Sequence, residues 1–162
     1  MSNKPVAIAA AAVLAAGVYW IFKVSDRKEI DFLARTMWGE ARGEGATGMA
    51  AVGHVIMNRV ADRRWPSTVE GVVTQRFQFS AWNEADPNRA KLLAVTDADA
   101  AFRVAQAFAT AIYFRDPALP DTTGGATHYH SNSLPAVLVP WTRPPAQISA
   151  NIGNHLFYTG VA

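Results

Sequence analysis

Apolar residues recur at helical intervals from about residue 28 to about residue 114, and the pattern is gone by Asp121, where a glycine pair opens a segment of alternating character. This change of period constrains the fold more than any other feature, because helices that come first and strands that follow give an α+β arrangement rather than interleaved βαβ units. Four helical stretches can be placed. The first runs from about Lys28 to Trp38, puts Ile30, Leu33, Ala34 and Met37 on one face, and stops at Gly39. The second covers about Thr47 to Val60, with Met49, Val52, Val55, Ile56 and Val60 as an inward stripe. A short third opens on a capping-box pattern, Ser67 to Glu70, after Trp65 and Pro66. The fourth, about Asp97 to Phe114, carries Asp97 and Asp99 in its first turn, where negative charge suits the helix dipole, and is closed by Pro117 and Pro120. Beyond it, "TTGGATHYHSN" and "NHLFYTG" read as strand candidates, while "LPAVLVPWTRPP" holds four prolines and reads as loop or edge. The expectation is a mostly helical α+β domain with a small β-hairpin or sheet.

Ahead of that domain, residues 5–22 are free of charge and are bracketed by Lys4 on one side and Lys23, Arg27 and Lys28 on the other. Eighteen such residues sit at the lower edge of what spans a bilayer, and Tyr19, Trp20 and Phe22 stand where interfacial anchors belong. Three readings are open: a transmembrane signal-anchor, a cleaved signal peptide, or a buried helix. The run shows no polar face, which disfavours the last, and the positive flanks at both ends leave the orientation undecided. The division expected is residues 1–28 as a membrane segment and 29–162 as one domain. A formal charge of +2 with scattered arginines points toward anionic polymers or lipid headgroups and away from a nucleic-acid binder. The chain has no cysteine, so disulfides, thiolate zinc sites and cysteine nucleophiles are excluded. Nothing in the sequence suggests more than a monomer.

The stretch "LARTMWGEARGEG", residues 33–45, delivers Glu40, Arg42 and Glu44 just past the apolar run. A carboxyl group at a helix C-terminus, desolvated beside Met37 and Trp38, has its pKa lifted toward the range a general acid needs. The bland alternative pairs Glu40 with Arg35 or Arg42 on the surface. Glu44 can cap the second helix or orient Arg42. In "THYH", His128 and His130 flank Tyr129 and share one face of a strand, so with a carboxylate they can hold zinc or line a sugar cleft. In "QRFQFSAW" the side chains of Gln78 and Ser80 suit sugar hydroxyls, and Phe77 and Phe79 suit either a sugar face or the core.

Taken in series, "LARTMWGEARGEG", "GMAAVGHVIMNRV", "WPSTVEGVV", "QFSAW", "ATHYHSN", "PWT" and "IGNHLFY" resemble the motifs of SleB/CwlJ-type cell-wall hydrolases, the spore-cortex-lytic enzyme family, over about residues 30–160. The resemblance implies a lysozyme-like fold, cleavage of the peptidoglycan glycan between N-acetylmuramic acid and N-acetylglucosamine, and Glu40 as the catalytic acid with no cofactor. Lytic transglycosylase chemistry, which needs one acid, is the leading expectation; a hydrolytic muramidase needs a second carboxylate, for which Glu44, Glu84 and Asp86 are the candidates. Arg42 and Glu44 are expected to support Glu40, and Gln78, Phe79, Ser80, Thr127, His128, Tyr129 and Trp141 to bind substrate. The membrane segment, without a separate wall-binding repeat domain, resembles a signal-arrest-release phage endolysin that acts in host lysis. It would be anchored in the inner membrane through residues 5–22, with the domain in the periplasm and open to release. The rivals are a zinc amidase or peptidase using His128 and His130, and a wall-binding module without catalysis.

Overall fold

A computed structural model describes residues 24–162. The charge-free run 5–22, and with it the anchor, signal-peptide and buried-helix readings, lies outside the described residues. Among the described residues no helix is long and apolar enough to cross a membrane.

Helix α1 covers residues 24–41, so Gly39 does not end it. A Cβ at position 39 would stand 3.0 Å from Leu92 Cδ1. The glycine there serves a close approach while the helix runs on through Ala41. The break falls later, after a 3-10 turn at Arg42–Glu44, where Gly45 takes φ 70°, a left-handed value that glycine adopts without strain. Glu40 therefore lies in the last turn of α1 instead of just past its end.

Helix α2, Gly45–Ala61, is the centre of the fold. Its residues Gly48 to Ile56 are buried without interruption, so the one-sided stripe expected from the sequence is in fact burial on every side. One flank meets Leu33 and Met37 of α1 and Phe102 and Ile112 further along the chain. The other flank offers Ala51 and Val55 to Ala126 and Phe157. Each large apolar side chain so buried contributes about 1.5–3 kcal/mol. Gly53 permits this crowding, since a Cβ there would come within 2.9 Å of both Met37 Sδ and Ile112 Cδ1.

Short helices complete the helical side. Helix α3, Val69–Val73, is capped by Thr68, whose hydroxyl accepts from Gly71 N at 3.1 Å. The cap is one residue later than the Ser67 pattern predicts, because Glu29 of α1 accepts from Val69 N in place of a capping-box glutamate, and Glu70 pairs with Lys28 at 2.6 Å. Helix α4, Arg89–Ala94, buries only Leu92; Arg35 closes its C-terminal end by donating to the carbonyls of Leu92 and Val95 at 2.7 and 3.2 Å. Helix α5, Ala100–Tyr113, starts after Asp99, which accepts from Phe102 N at 2.9 Å and so acts as its cap.

Three antiparallel strands form the sheet: β1, His128–Ser131; β2, Gln147–Ile152; and β3, His155–Thr159, in the order β1-β3-β2. Tyr129 lies opposite Phe157, and Phe157 packs on α2, so the register of β1 is fixed by the core. The proline-rich stretch is a loop with two 3-10 turns, Ala136–Leu138 and Pro140–Thr142, as its composition implies. The mostly helical α+β reading with a small sheet therefore describes residues 24–162.

Candidate active site

Glu40 from α1 and Tyr129 from β1 meet where the helical side faces the sheet. The Tyr129 hydroxyl donates to Glu40 Oε2 at 3.2 Å. Tyr129 is held there by the rings of Phe157 and His155, at centroid distances of 5.6 and 5.1 Å. Burial pushes the Glu40 carboxyl above its ordinary pKa, the Tyr129 hydrogen bond opposes that shift, and the charge of Asp86 adds to it. The carboxyl opens onto a small cavity of about 170 Å³ whose lining includes Trp38, Gly39, Ser80 and Asn88. A carboxyl group whose pKa is raised beside a cavity is suited to donate a proton.

The surface ion pair that would make Glu40 ordinary does not form. Arg35 bonds Asp31 at 2.8 Å and the end of α4. Arg42 lies 4.4 Å over the Trp38 ring and donates to the Trp38 and Gly39 carbonyls. Glu44 does not orient Arg42 either. Its carboxylate accepts from Asn154 N at 2.9 Å and Asn154 Nδ2 at 2.8 Å, which ties the start of α2 to the β2–β3 turn and holds its pKa below the usual range.

Of the three candidates for a second carboxylate, only Asp86 acts electrostatically on Glu40. It stays ionised because Asn88 N donates to it at 2.7 Å, with Asn88 and Ser80 side chains assisting. The two carboxyl groups are thus driven apart in pKa, the pattern by which acid and base roles are divided.

The substrate-binding set expected from the sequence is split by the structure. Gln78 and Ser80 are both exposed; Ser80 lines the Glu40 cavity, whereas the Gln78 side chain is held by Arg59 and is not among the cavity's lining. Phe79 is 2% exposed and belongs to the core, so its ring is not offered to a ligand. Phe77, by contrast, is 78% exposed. Strand alternation separates Tyr129 from its neighbours: His128 turns to the other face of β1, between Trp65 and Trp141 at 5.6 and 5.0 Å. Thr127 is buried and bonds His128 Nδ1 at 3.0 Å, and Trp141 is wedged among His128, His130 and Tyr158. His128 and Trp141 do not share a wall with Tyr129. Burial and the positive charge of Arg59 and Arg64 lower His128 to about 4.

His128 and His130 do share a face, as alternation requires, yet they do not form a chelate. The Ser131 carbonyl 2.8 Å from His130 Nδ1 fixes the proton there, and Nε2, 3.0 Å from the Tyr158 hydroxyl, accepts from it. Both nitrogens are committed, and among the described residues no three His, Asp or Glu side chains converge as a metal site.

Arg59, which the sequence reading passed over, organises this side of the site. It is 5% exposed, and among the described residues no carboxylate pairs with it. Its Nε donates to Thr127 O at 2.7 Å and one terminal nitrogen to Gln78 Oε1 at 3.0 Å, while its plane lies 4.2 Å over Trp65. Burial lowers its pKa to about 10. This single side chain latches β1 and the 75–80 loop onto α2. An arginine at the buried end of the "GMAAVGHVIMNRV" stripe was the signal available for it.

Residues 43–158 match the protein family described as Cell Wall Hydrolase; Glu40 lies just ahead of that stretch. The chain is 30% identical over 135 residues to a spore cortex-lytic enzyme of Bacillus cereus, covering 81% of this chain and 44% of that protein. With a spore cortex-lytic enzyme of Halalkalibacterium halodurans it shares 31% identity over 133 residues, covering 80% and 34%. The chain thus spans less than half the length of these relatives. The crystal structure of the catalytic domain of the Bacillus cereus SleB protein is similar at a TM-score of 0.60 and 28% identity, covering 82% of this chain and 91% of that one. The catalytic domain of the germination-specific lytic transglycosylase SleB from Bacillus anthracis gives a TM-score of 0.59 at 28% identity, with 81% and 93% covered.

Proposed function

The chain belongs to the cell wall hydrolase family, and from that premise we propose that it cleaves peptidoglycan glycan strands at the N-acetylmuramic acid to N-acetylglucosamine linkage, with Glu40 as the acid. The observation that carries the reading is the buried, protonation-favouring Glu40 carboxyl with the Tyr129 hydroxyl at 3.2 Å. Protonated Glu40 gives its proton to the glycosidic oxygen as the bond to the anomeric carbon breaks through an oxocarbenium-like transition state. The carboxylate left behind is stabilised by the Tyr129 hydrogen bond. It then takes the proton of the muramoyl primary hydroxyl as that oxygen closes on the anomeric carbon, which yields an anhydro sugar and restores the acid. The name of the Bacillus anthracis relative, a lytic transglycosylase, supports this route.

Asp86 favours a second reading. An ionised carboxylate whose field reaches Glu40 is what a hydrolytic muramidase requires to activate water or stabilise the cation. The two routes differ in product, since hydrolysis leaves reducing ends and needs Asp86, whereas transglycosylation does not. The test is clearing of purified sacculi by the wild type, Glu40→Gln and Asp86→Asn. Glu40→Gln is expected to slow clearing by about 10³-fold, and Asp86→Asn to leave it within about threefold. A Glu40→Gln protein that clears walls at the normal rate overturns the proposal, and an Asp86→Asn loss comparable to that of Glu40→Gln selects hydrolysis.

The setting is proposed from the sequence alone. The uncharged run 5–22 supports attachment to the inner membrane with the domain in the periplasm, in a phage lysis role. Recovery of the full chain in the cytoplasm of an expressing cell, with none in the membrane or periplasmic fractions, contradicts it.

A further inference from the structure

Phe77 is set apart from the other aromatic residues around the site. Its backbone takes φ 68°, a left-handed value that a bulky residue adopts only when its surroundings impose it. The imposition is visible on both sides of it. Gln78 N closes a turn on Gln75 O at 3.1 Å, the Gln78 side chain is held by Arg59, and Phe79 is sunk in the core. The chain between these fixed points has to pass over a tip, and Phe77 is that tip. Both the strained backbone and the 78% exposed ring oppose folding, and the ring gains little from burial in return. Glycine would fit this position at no steric expense.

The ring also borders a groove of about 890 Å³, with Arg76, Trp82, Asn83, Asp86 and Arg89 among its other lining residues. The Arg76 guanidinium lies 4.6 Å from the Phe77 ring centre and steadies it. The groove and the Glu40 cavity share the segment 80–89 as a wall, with Trp82 and Asp86 on one side and Ser80 and Asn88 on the other. A polymeric substrate with its scissile bond at Glu40 that crosses this shared segment would enter the groove. We infer that Phe77 is a stacking platform for a saccharide of the same glycan strand, at a subsite remote from the bond that breaks. This rests on the glycan-cleavage reading above. An exposed, flat apolar face beside a polar groove suits the apolar face of a pyranose ring, whose hydroxyls then meet polar groups at the groove edge.

The test separates stacking from structure. With the Glu40→Gln protein as a non-cleaving background, binding of chitotetraose is measured by titration calorimetry with and without Phe77→Ala, Phe77→Gly and Phe77→Trp. Alanine and glycine are expected to weaken binding about tenfold and tryptophan to retain it. In the cleaving protein, Phe77→Ala is expected to raise KM on peptide-free glycan strands about tenfold with kcat within about twofold. The same Phe77→Gly change is expected to raise the unfolding temperature, because it relieves the backbone, whereas a residue kept for packing would lower it. Unchanged chitotetraose affinity in Phe77→Ala, or a lowered unfolding temperature in Phe77→Gly, overturns the inference. If the wild type cleaves glycan and Phe77→Ala matches its KM, the subsite fails while the glycosidase reading stands. If chitotetraose binding needs Phe77 yet the wild type releases no glycan fragments, the subsite stands and the cleavage reading fails.

Discussion

Glu40 is kept in a form that favours catalysis over stability. Its folded-state pKa lies above the unfolded value, so its contribution to stability is full below the unfolded pKa and is lost as pH rises through the folded one. Glu40→Gln keeps the shape and a hydrogen-bonding partner for Tyr129 without the charge, so at pH 8 it is expected to melt about 2–5 °C higher than the wild type, although it no longer clears walls. A lower melting temperature contradicts the burial argument. The same shift places the alkaline limb of the kcat profile above the ordinary carboxylate range, because the acid works only while protonated. Glu44 acts at one remove, through Asn154 and the sheet. Glu44→Gln is expected to lower kcat about tenfold with KM within about twofold, and an equal rise in KM would show that it touches substrate instead. Both glutamates were legible in "GEARGE". The facing of His128 and Trp141 was not, because alternation assigns a strand two faces without saying which one meets α1.

At the scale of elements, the clamp between α2 and the β2–β3 turn is the joint that brings the sheet to the acid. Gly153 in that turn has φ 57°, and a Cβ there would come within 2.4 Å of Glu44 Oε2. Gly153→Ala combines a strained backbone with a displaced clamp, and urea unfolding is expected to show a loss of about 1–3 kcal/mol. A neutral result would mean that the turn is not held against Glu44. The helices α1 and α5 could be read from periodicity because tertiary burial follows the same period, and α2 could be read from its apolar stripe although it is buried on every side. Their ends could not, since Gly39 is retained for contact with Leu92 and Asp99 is taken as a cap. Helix α4 is too short to show a period. Strand β2 does carry the alternation Ile148, Ala150, Ile152, but follows a proline-rich loop that hid it.

At the scale of the whole molecule, burial holds three of the four imidazoles, His54, His128 and His155, below the ordinary histidine pKa. Among the described residues the buried His54 Nε2 has no hydrogen-bond partner, and burial lowers this imidazole, as it lowers His128 to about 4 and His155 against the pull of Glu44. Groups depressed in this way contribute stability above the unfolded histidine pKa of about 6.5 and lose it as pH falls toward the folded values. Thermal unfolding between pH 7 and pH 4 is therefore expected to show a falling melting temperature, and His54→Gln a shallower slope; a flat profile contradicts it. The histidines that resist protonation limit the fold on the acid side, and Glu40, which works only while protonated, limits activity on the alkaline side. Mass spectrometry of the fragments released from purified peptidoglycan tests the central claim most directly. The account predicts anhydro-muramoyl ends from the wild type and none from Glu40→Gln. Cut peptide stems with intact glycan, or the same anhydro fragments from Glu40→Gln, would contradict it.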